Sequence, residues 1–226
     1  MALFFRACLV CCLAGLALVA RANPGIEQWT TANGAAVYFV AAPEIPMLDV
    51  RLVFAAGSAR DGAQAGVAGL TSDLLDEGTA SLAADEFHTR LEATGAVLGS
   101  GSLREMAWVS LRTLTAEPQR STATALLGQL LEAPRFDDEA FTRQRDQALD
   151  GLKRALESPA TLGQRAYFRA LFGDHPYGLP PEGTVDSLGC LTRADVEAFY
   201  RRHYVAKNLT IAIVGALSRA DAAALA

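Results

Sequence analysis

The sequence contains few of the residues that form disulfide bridges, since its 226 residues include only four cysteines. Cys8, Cys11 and Cys12 all lie in the first twelve residues, so Cys190 is alone in the rest of the chain. If the N-terminal segment is removed, no intrachain disulfide can form, even in an oxidising compartment. We predict that Cys190 is a buried thiol that packs as a small hydrophobic residue.

Histidine is equally scarce, with three in the chain: His88, His175 and His203. No two of them stand at a spacing known for metal ligands. We expect His88 to be a surface residue with Glu92 as its acidic neighbour one helical turn later. His175 precedes a proline and is predicted to be a hydrogen-bonding residue in a loop. The histidines alone therefore predict no metal site.

Long apolar runs are missing except at the N-terminus. The run Ala7–Ala20 follows a basic start, is short for a membrane span, and precedes the small-x-small sequence Ala20-Arg21-Ala22. We predict a signal peptide over residues 1–22, cleaved between Ala22 and Asn23, which directs the protein to the periplasm or outside the cell. An uncleaved N-terminal anchor is the alternative. We expect no stable membrane span after cleavage.

Basic residues are outnumbered, since 20 lysines and arginines face 25 aspartates and glutamates. Loss of Arg6 and Arg21 with the signal peptide changes the formal net charge from −5 to −7. An acidic balance of this kind argues against nucleic-acid binding. The sequence also lacks low-complexity segments, charge blocks and short repeats. Residues 23–226 are predicted to form one large domain with its own core.

Hydrophobic periodicity then predicts the elements of that domain. The dipeptide Asn33-Gly34 is typical of a tight hairpin turn between two strands, and residues 47–56 alternate as a third strand. Residues 96–102 and 106–115 resemble a second hairpin, and residues 208–215 a last strand. Helices are predicted over residues 66–79, 81–93 with Ser81 as its cap, 119–132 and 137–157, and a further one begins at Ser218. The pattern predicts an α+β fold, with a mixed, largely antiparallel sheet of five or six strands and helices packed on one face.

The predicted helix within Gly66–Thr79 organises the functional interpretation. Its apolar residues Val67, Leu70, Leu74 and Leu75 fall at helical spacing on one face. Gly69 and Asp73, four residues apart, share another face, with Ser72 beside them. A metallopeptidase would carry its chemistry on that second face.

This frame resembles the zinc-site helix of the pitrilysin, insulinase and mitochondrial processing peptidase family. That family carries the inverted zinc motif His-x-x-Glu-His, with two histidine ligands and a glutamate base. On this frame the ligand positions fall at Gly69 and Asp73, and the base position falls at Ser72. Residues 54–61, the sequence His175-Pro-Tyr-Gly178 and residues 208–215 are similar to further landmarks of the family, at similar intervals.

The resemblance also implies two carboxylates on the helix over residues 137–157: a third zinc ligand and a glutamate two turns before it. Alignment on Arg145 and Ser158 places these positions at Gly151 and Gln144. Gly69, Ser72, Asp73, Gln144 and Gly151 therefore form a degenerate site with no catalytic residue and no metal ligand set. Asp73 with Asp150 offers at most a weak site for a hard cation.

We expect this protein to be the non-catalytic partner subunit of an exported zinc metallopeptidase, binding unstructured peptides or the partner. The partner would be a catalytic zinc-peptidase paralogue, and zinc is expected in that subunit alone. The small residues Gly99, Ser100 and Gly101 are predicted to form an edge strand that pairs with an extended peptide, as in the family. Their alternative role is to relieve packing in an ordinary hairpin.

Two other functions remain open at this stage. One is an active metal-dependent endopeptidase with a displaced site, and the other is a purely structural assembly subunit. Members of the family typically continue into a second domain of similar fold. The chain stops at Ala226 within a predicted helix, so we expect it to be truncated.

Overall fold

A computed structural model describes residues 25–226, and the predicted signal peptide lies outside them. One sheet has the strand order β1-β2-β6-β3-β5-β4. The pair β2 and β6 is parallel, and all other neighbouring pairs are antiparallel. The strands are β1 (Glu27–Thr30), β2 (Ala36–Ala41), β3 (Met47–Phe54), β4 (Val97–Ser102), β5 (Ala107–Leu114) and β6 (Leu209–Gly215). The predicted mixed, largely antiparallel sheet is confirmed.

Eight α-helices follow the strands or connect them within the described part of the chain. Short 3₁₀ turns at residues 58–60, 176–178 and 206–208 complete the connections. None of the helices in residues 25–226 is both long and apolar enough to cross a membrane. The helices are α1 (Val67–Asp73), α2 (Ala84–Glu92), α3 (Gln119–Glu132), α4 (Asp138–Ala155), α5 (Pro159–Phe172), α6 (Val185–Cys190), α7 (Arg193–His203) and α8 (Arg219–Leu225).

The core lies between the helices and one face of the sheet. In β3 every second residue is buried: Leu48, Val50, Leu52 and Phe54. Such burial stabilises the fold by about 1.5–3 kcal/mol for each large apolar side chain. Buried residues of β5 and β6 alternate in the same way, and the helices contribute the other side of one continuous apolar cluster. Because the buried apolar residues lie on one face of the sheet, the helices pack on that face, as predicted.

The loop after β3 is bonded to the turn between β4 and β5. Ser58 N donates to the Leu103 carbonyl oxygen at 2.9 Å, and Ala59 N donates to that of Arg104 at 2.8 Å. A Cβ atom on Gly57 would lie 2.4 Å from both of these carbonyl oxygens, so the close approach requires glycine. The contact fixes the segment that leads into α1 beside one end of the edge strand β4.

Three local predictions are wrong. The helix α1 ends at Asp73 instead of reaching Gly78, whose φ of 102° and bridge to Ala83 belong to a tight turn. Ser81 does not cap α2, because α2 begins at Ala84 after the extended Ala83. Cys190 is exposed and not a buried thiol. It is the last residue of the short helix α6, where the apolar contact is supplied by Leu188.

Candidate functional site

The start of α1 is held by a buried carboxylate that sequence reasoning did not single out. Asp61 is 6 % exposed and accepts hydrogen bonds from Gly66 N at 2.7 Å and Ala68 N at 3.0 Å. Gly66 has a φ of 98°, a conformation that favours glycine. Burial raises the pKa of Asp61 to about 6, although the two backbone hydrogen bonds act in the opposite direction. Asp61 thus fixes the position and direction of α1.

A recess of about 490 Å³ lies beside α1 and brings three of the five predicted site positions together. Gly69 and Asp73 reach it from α1, and Gly151 reaches it from α4. Ser102, at the end of β4, also lines this recess. Positions separated by 78 residues in sequence thus meet in one cavity, as the resemblance implies.

Glycine leaves space in this recess. A Cβ atom added to Gly69 or to Gly151 would meet nothing within 4 Å. Zinc needs at least three converging nitrogen, sulfur or oxygen ligands, and of these three positions only Asp73 carries a side-chain donor. Within residues 25–226, no three His, Cys, Asp or Glu side chains are grouped closely enough to hold a metal ion. The residues present do not fit the zinc ion that the family implies.

Asp73 is the charged residue of the three. Solvent reaches its side chain, but the carboxylate lies within a concave recess, and the surrounding protein raises its pKa, with a further contribution from the negative charge of Asp76. No hydrogen bond or ion pair with another described residue holds it. Asp73 therefore places an uncompensated negative charge in the recess.

The other two predicted positions lie outside the recess. Ser72 is 2 % exposed and does not line the recess, so its own hydroxyl is not presented to the cavity. Gln144 Nε2 donates to Glu77 Oε1 at 2.6 Å, while Arg143 Nη2 lies 2.5 Å from Glu77 Oε2. The amide of Gln144 is thus committed to Glu77, which follows α1. Glu77 is a further polar residue of the region that the sequence analysis did not assign.

The predicted edge strand is at the edge of the sheet. β4, which contains Gly99, Ser100 and Gly101, pairs with β5 on one side and with no other described strand. Ser100 Oγ donates to the Ser72 carbonyl oxygen at 3.4 Å, a long contact that links the strand to α1. The unpaired side of β4 has the backbone groups that an added strand would need.

The indole ring of Trp108 explains in part why β4 contains glycines, because it lies close to where their side chains would be. A Cβ atom on Gly101 would lie 2.8 Å from three ring atoms of Trp108, whereas on Gly99 its nearest neighbour would be Ser110 Oγ at 3.3 Å. The Arg51 guanidinium stands 4.3 Å from the centre of the same ring. The alternative role of these glycines, which is to make room for neighbouring side chains, therefore has a structural basis. This role does not prevent the open edge of β4 from binding a peptide.

Gly101 and Gly99 should respond differently to substitution by alanine. We expect Gly101→Ala to displace the Trp108 ring and to cost about 1–3 kcal/mol, as overpacking does, with a clear change in tryptophan fluorescence. Gly99→Ala is the matched control on the same strand and should change both quantities less. Fluorescence spectra and urea unfolding of the two variants check this, and equal effects would contradict it.

Helix α5 supplies residues of the recess that the sequence analysis missed. Arg165 lines it, with Nη2 donating to the Gly183 carbonyl oxygen at 3.2 Å and lying 3.5 Å from Glu182 Oε2. A second cavity of about 350 Å³ shares Ser102, Arg165 and Glu182 with the first. No residue of α5 is buried, so its apolar periodicity was a weak signal. The signal in the sequence that could have revealed this helix is Pro159, because proline is favoured at the first position of a helix.

The fold and the recess together define a class. A six-stranded sheet with helices on one face, and a recess between α1 and α4 lined by Gly69, Asp73 and Gly151, are the features that the resemblance to a metallopeptidase half-domain implies. Residues 37–185 match the family described as Insulinase (Peptidase family M16). The chain belongs to this family.

The similarity extends to individual proteins and structures. An inactive domain of peptidase M16 from Pseudomonas fluorescens is 39 % identical, with a TM-score of 0.87 over 89 % of this chain and 49 % of that one. An uncharacterised zinc protease of Mycobacterium leprae is 25 % identical over 91 % of this chain and 46 % of its own length. The periplasmic protease PqqL from Escherichia coli shares the fold, with 18 % identity and a TM-score of 0.78 over 90 % of this chain and 23 % of that one. The chain thus spans about half the length, or less, of these relatives.

Proposed function

We propose that this protein is the non-catalytic member of a paired, exported zinc peptidase and that it acts by binding peptide and partner. The observation that carries the proposal is the recess itself. The resemblance of the sequence assigns Gly69 and Gly151 to zinc-ligand positions of the family, and both residues line one open cavity. A glycine provides no side-chain donor, so the zinc-bound water on which the family's hydrolysis depends has no place to form.

Binding is supported by the unpaired edge of β4. An extended peptide that adds to this edge would gain main-chain hydrogen bonds in any sequence. Ser102 joins that edge to the recess, so a peptide on β4 would pass beside the cavity. The inactive domain from Pseudomonas fluorescens, at 39 % identity, makes a non-hydrolytic role compatible with this fold.

The partner in this proposal is a paralogue with an intact His-x-x-Glu-His motif. The chain spans about half the length of its relatives, for example 49 % of the inactive domain's chain. Half-domains of this family are compatible with pairing to a paralogue, which would complete the peptide-enclosing chamber and supply the zinc. Export through the signal peptide over residues 1–22 would place both subunits in the periplasm or outside the cell.

The proposal is tested with the purified mature chain. We expect substoichiometric zinc by elemental analysis, no chelator-sensitive cleavage of unstructured peptides, and capture of a zinc-bearing paralogue in a periplasmic pull-down. Stoichiometric zinc with turnover by the chain alone would instead establish a displaced active site. Capture of a partner without measurable peptide affinity would establish a structural assembly subunit. Either result would overturn the proposal.

A further inference from the structure

The recess has the size and walls of a ligand site. Its volume of about 490 Å³ is within the range of small-molecule sites, about 300–1,000 Å³. Leu70, Leu152 and Leu188 provide apolar lining from three helices. The missing side chains of Gly69 and Gly151 leave space beside these leucines. A long side chain could therefore enter with its stem against apolar surface.

The charges of the lining favour a cation. Asp73, Glu182 and Arg165 are the charged residues among those that line the recess, which gives two negative charges and one positive. Arg165 is already engaged by the Gly183 carbonyl oxygen and Glu182. Asp73 has no partner of this kind among the described residues. An anion would face the two carboxylates and a guanidinium that is already paired, whereas a cation would find the Asp73 carboxylate.

The form of the cation follows from the donor set. A metal ion such as Ca²⁺ or Mg²⁺ takes about six or more oxygen ligands, and Asp73 supplies two. An ammonium or guanidinium group on an aliphatic stem needs one carboxylate and apolar walls. The recess has both features, so it fits lysine or arginine better than a metal.

We propose that the recess takes the lysine or arginine side chain of an extended peptide that lies along β4, with Asp73 as the counter-charge. This inference rests on the proposed function, because it needs a peptide at the β4 edge. Side chains of a strand alternate between its two faces, so one residue near Ser102 would direct its side chain towards the recess. The zinc position of the family would then serve in this chain as a specificity pocket for a basic residue.

The test compares labelled peptides, acetylated and amidated at their ends, that carry a central arginine or its uncharged analogue citrulline. For the mature chain, fluorescence anisotropy should show about tenfold tighter binding of the arginine peptide, the value of one charge-assisted hydrogen bond. Asp73→Asn should bring this ratio close to one. Asp150→Asn, which changes an exposed carboxylate outside the recess, is the matched control and should leave the ratio unchanged.

A second variant fills the space without altering the charge. Gly151→Leu projects into the open recess and should reduce the affinity for the arginine peptide to that for the citrulline peptide. Equal binding of both peptides by the unaltered chain would overturn the basic-residue pocket while leaving peptide binding intact. Binding of neither peptide would overturn the peptide-binding part of the proposed function itself. A citrulline peptide with a free N-terminus that binds as tightly as the arginine peptide would assign the recess to an amino terminus and overturn the side-chain proposal.

Discussion

Zinc should bind and stabilise a variant that carries Gly69→His, Asp73→His and Gly151→Glu. The three positions line one recess, and Cβ atoms on the two glycines meet nothing within 4 Å, so the new side chains have space to enter it. With free zinc about 1,000-fold above its Kd, binding to the folded state adds about 4 kcal/mol. In a domain of this size the melting temperature then rises by roughly 8–16 °C.

The control for this experiment keeps bulk but removes good zinc donors. Gly69→Gln, Asp73→Asn and Gly151→Gln should give a chain whose melting temperature zinc does not change. Differential scanning calorimetry with and without zinc provides the measurement, and circular dichroism verifies that both triple variants fold. If the histidine variant folds but zinc does not change its melting temperature, these positions are not the ligand positions of the family.

The second large effect is expected from Asp61→Ala. The substitution leaves Gly66 N–H and Ala68 N–H buried without their acceptor. Each unsatisfied buried group costs about 1–3 kcal/mol, so the free energy of unfolding should fall by about 2–6 kcal/mol. Urea unfolding measures this loss. A change below about 1 kcal/mol, within the range of ordinary surface substitutions, would show that Asp61 does not hold α1.

Asp61→Asn serves as the control because it keeps one side-chain oxygen as an acceptor and cannot titrate. The pKa of Asp61 is raised from 3.8 to about 6 in the folded chain. The folded state therefore holds a proton that the unfolded state releases, and this contribution to stability is complete below about pH 4. It is lost as the pH rises to about 6, by at most about 3 kcal/mol. A stability difference between the native chain and Asp61→Asn that stays constant from pH 4 to 6 would contradict this.

Local signals in the sequence predicted much of the fold. Asn33-Gly34 does form the turn of the first hairpin, with Gly34 at a φ of 99°. The alternation of β3 and β5 predicted strands with one buried face, because a half-buried strand must repeat every two residues. The helix α3 was predicted at its observed bounds, Gln119–Glu132.

The recess could be predicted only in part. The resemblance paired Gly69 and Asp73 with Gly151, and the structure places all three on one cavity. Arg165 and Glu182 carry no local pattern that points to this place, since they reach it through the tertiary packing of α5 and the loop after it. Asp61 was missed for a similar reason. A single buried carboxylate in a glycine-rich loop has no periodicity to reveal its role.

The exposed Cys190 shows the limit of reasoning from composition. Free cysteines are usually buried, but α6 is only six residues long and buries Leu188 instead. A short helix has few positions that face the core, and in α6 Leu188 occupies that position. Residue type alone could not predict whether Leu188 or Cys190 would be the buried residue.

The position of β6 has a consequence for the order of folding. This last strand lies between β2 and β3 in the sheet, so residues 209–215 join the N-terminal hairpin to the other three strands. Until the ribosome has released them, the preceding strands can form only two separate sheets with open edges. Native assembly of the sheet must therefore wait for residues 209–215. Contacts this distant in sequence fold slowly and depend on protection from aggregation in the interval.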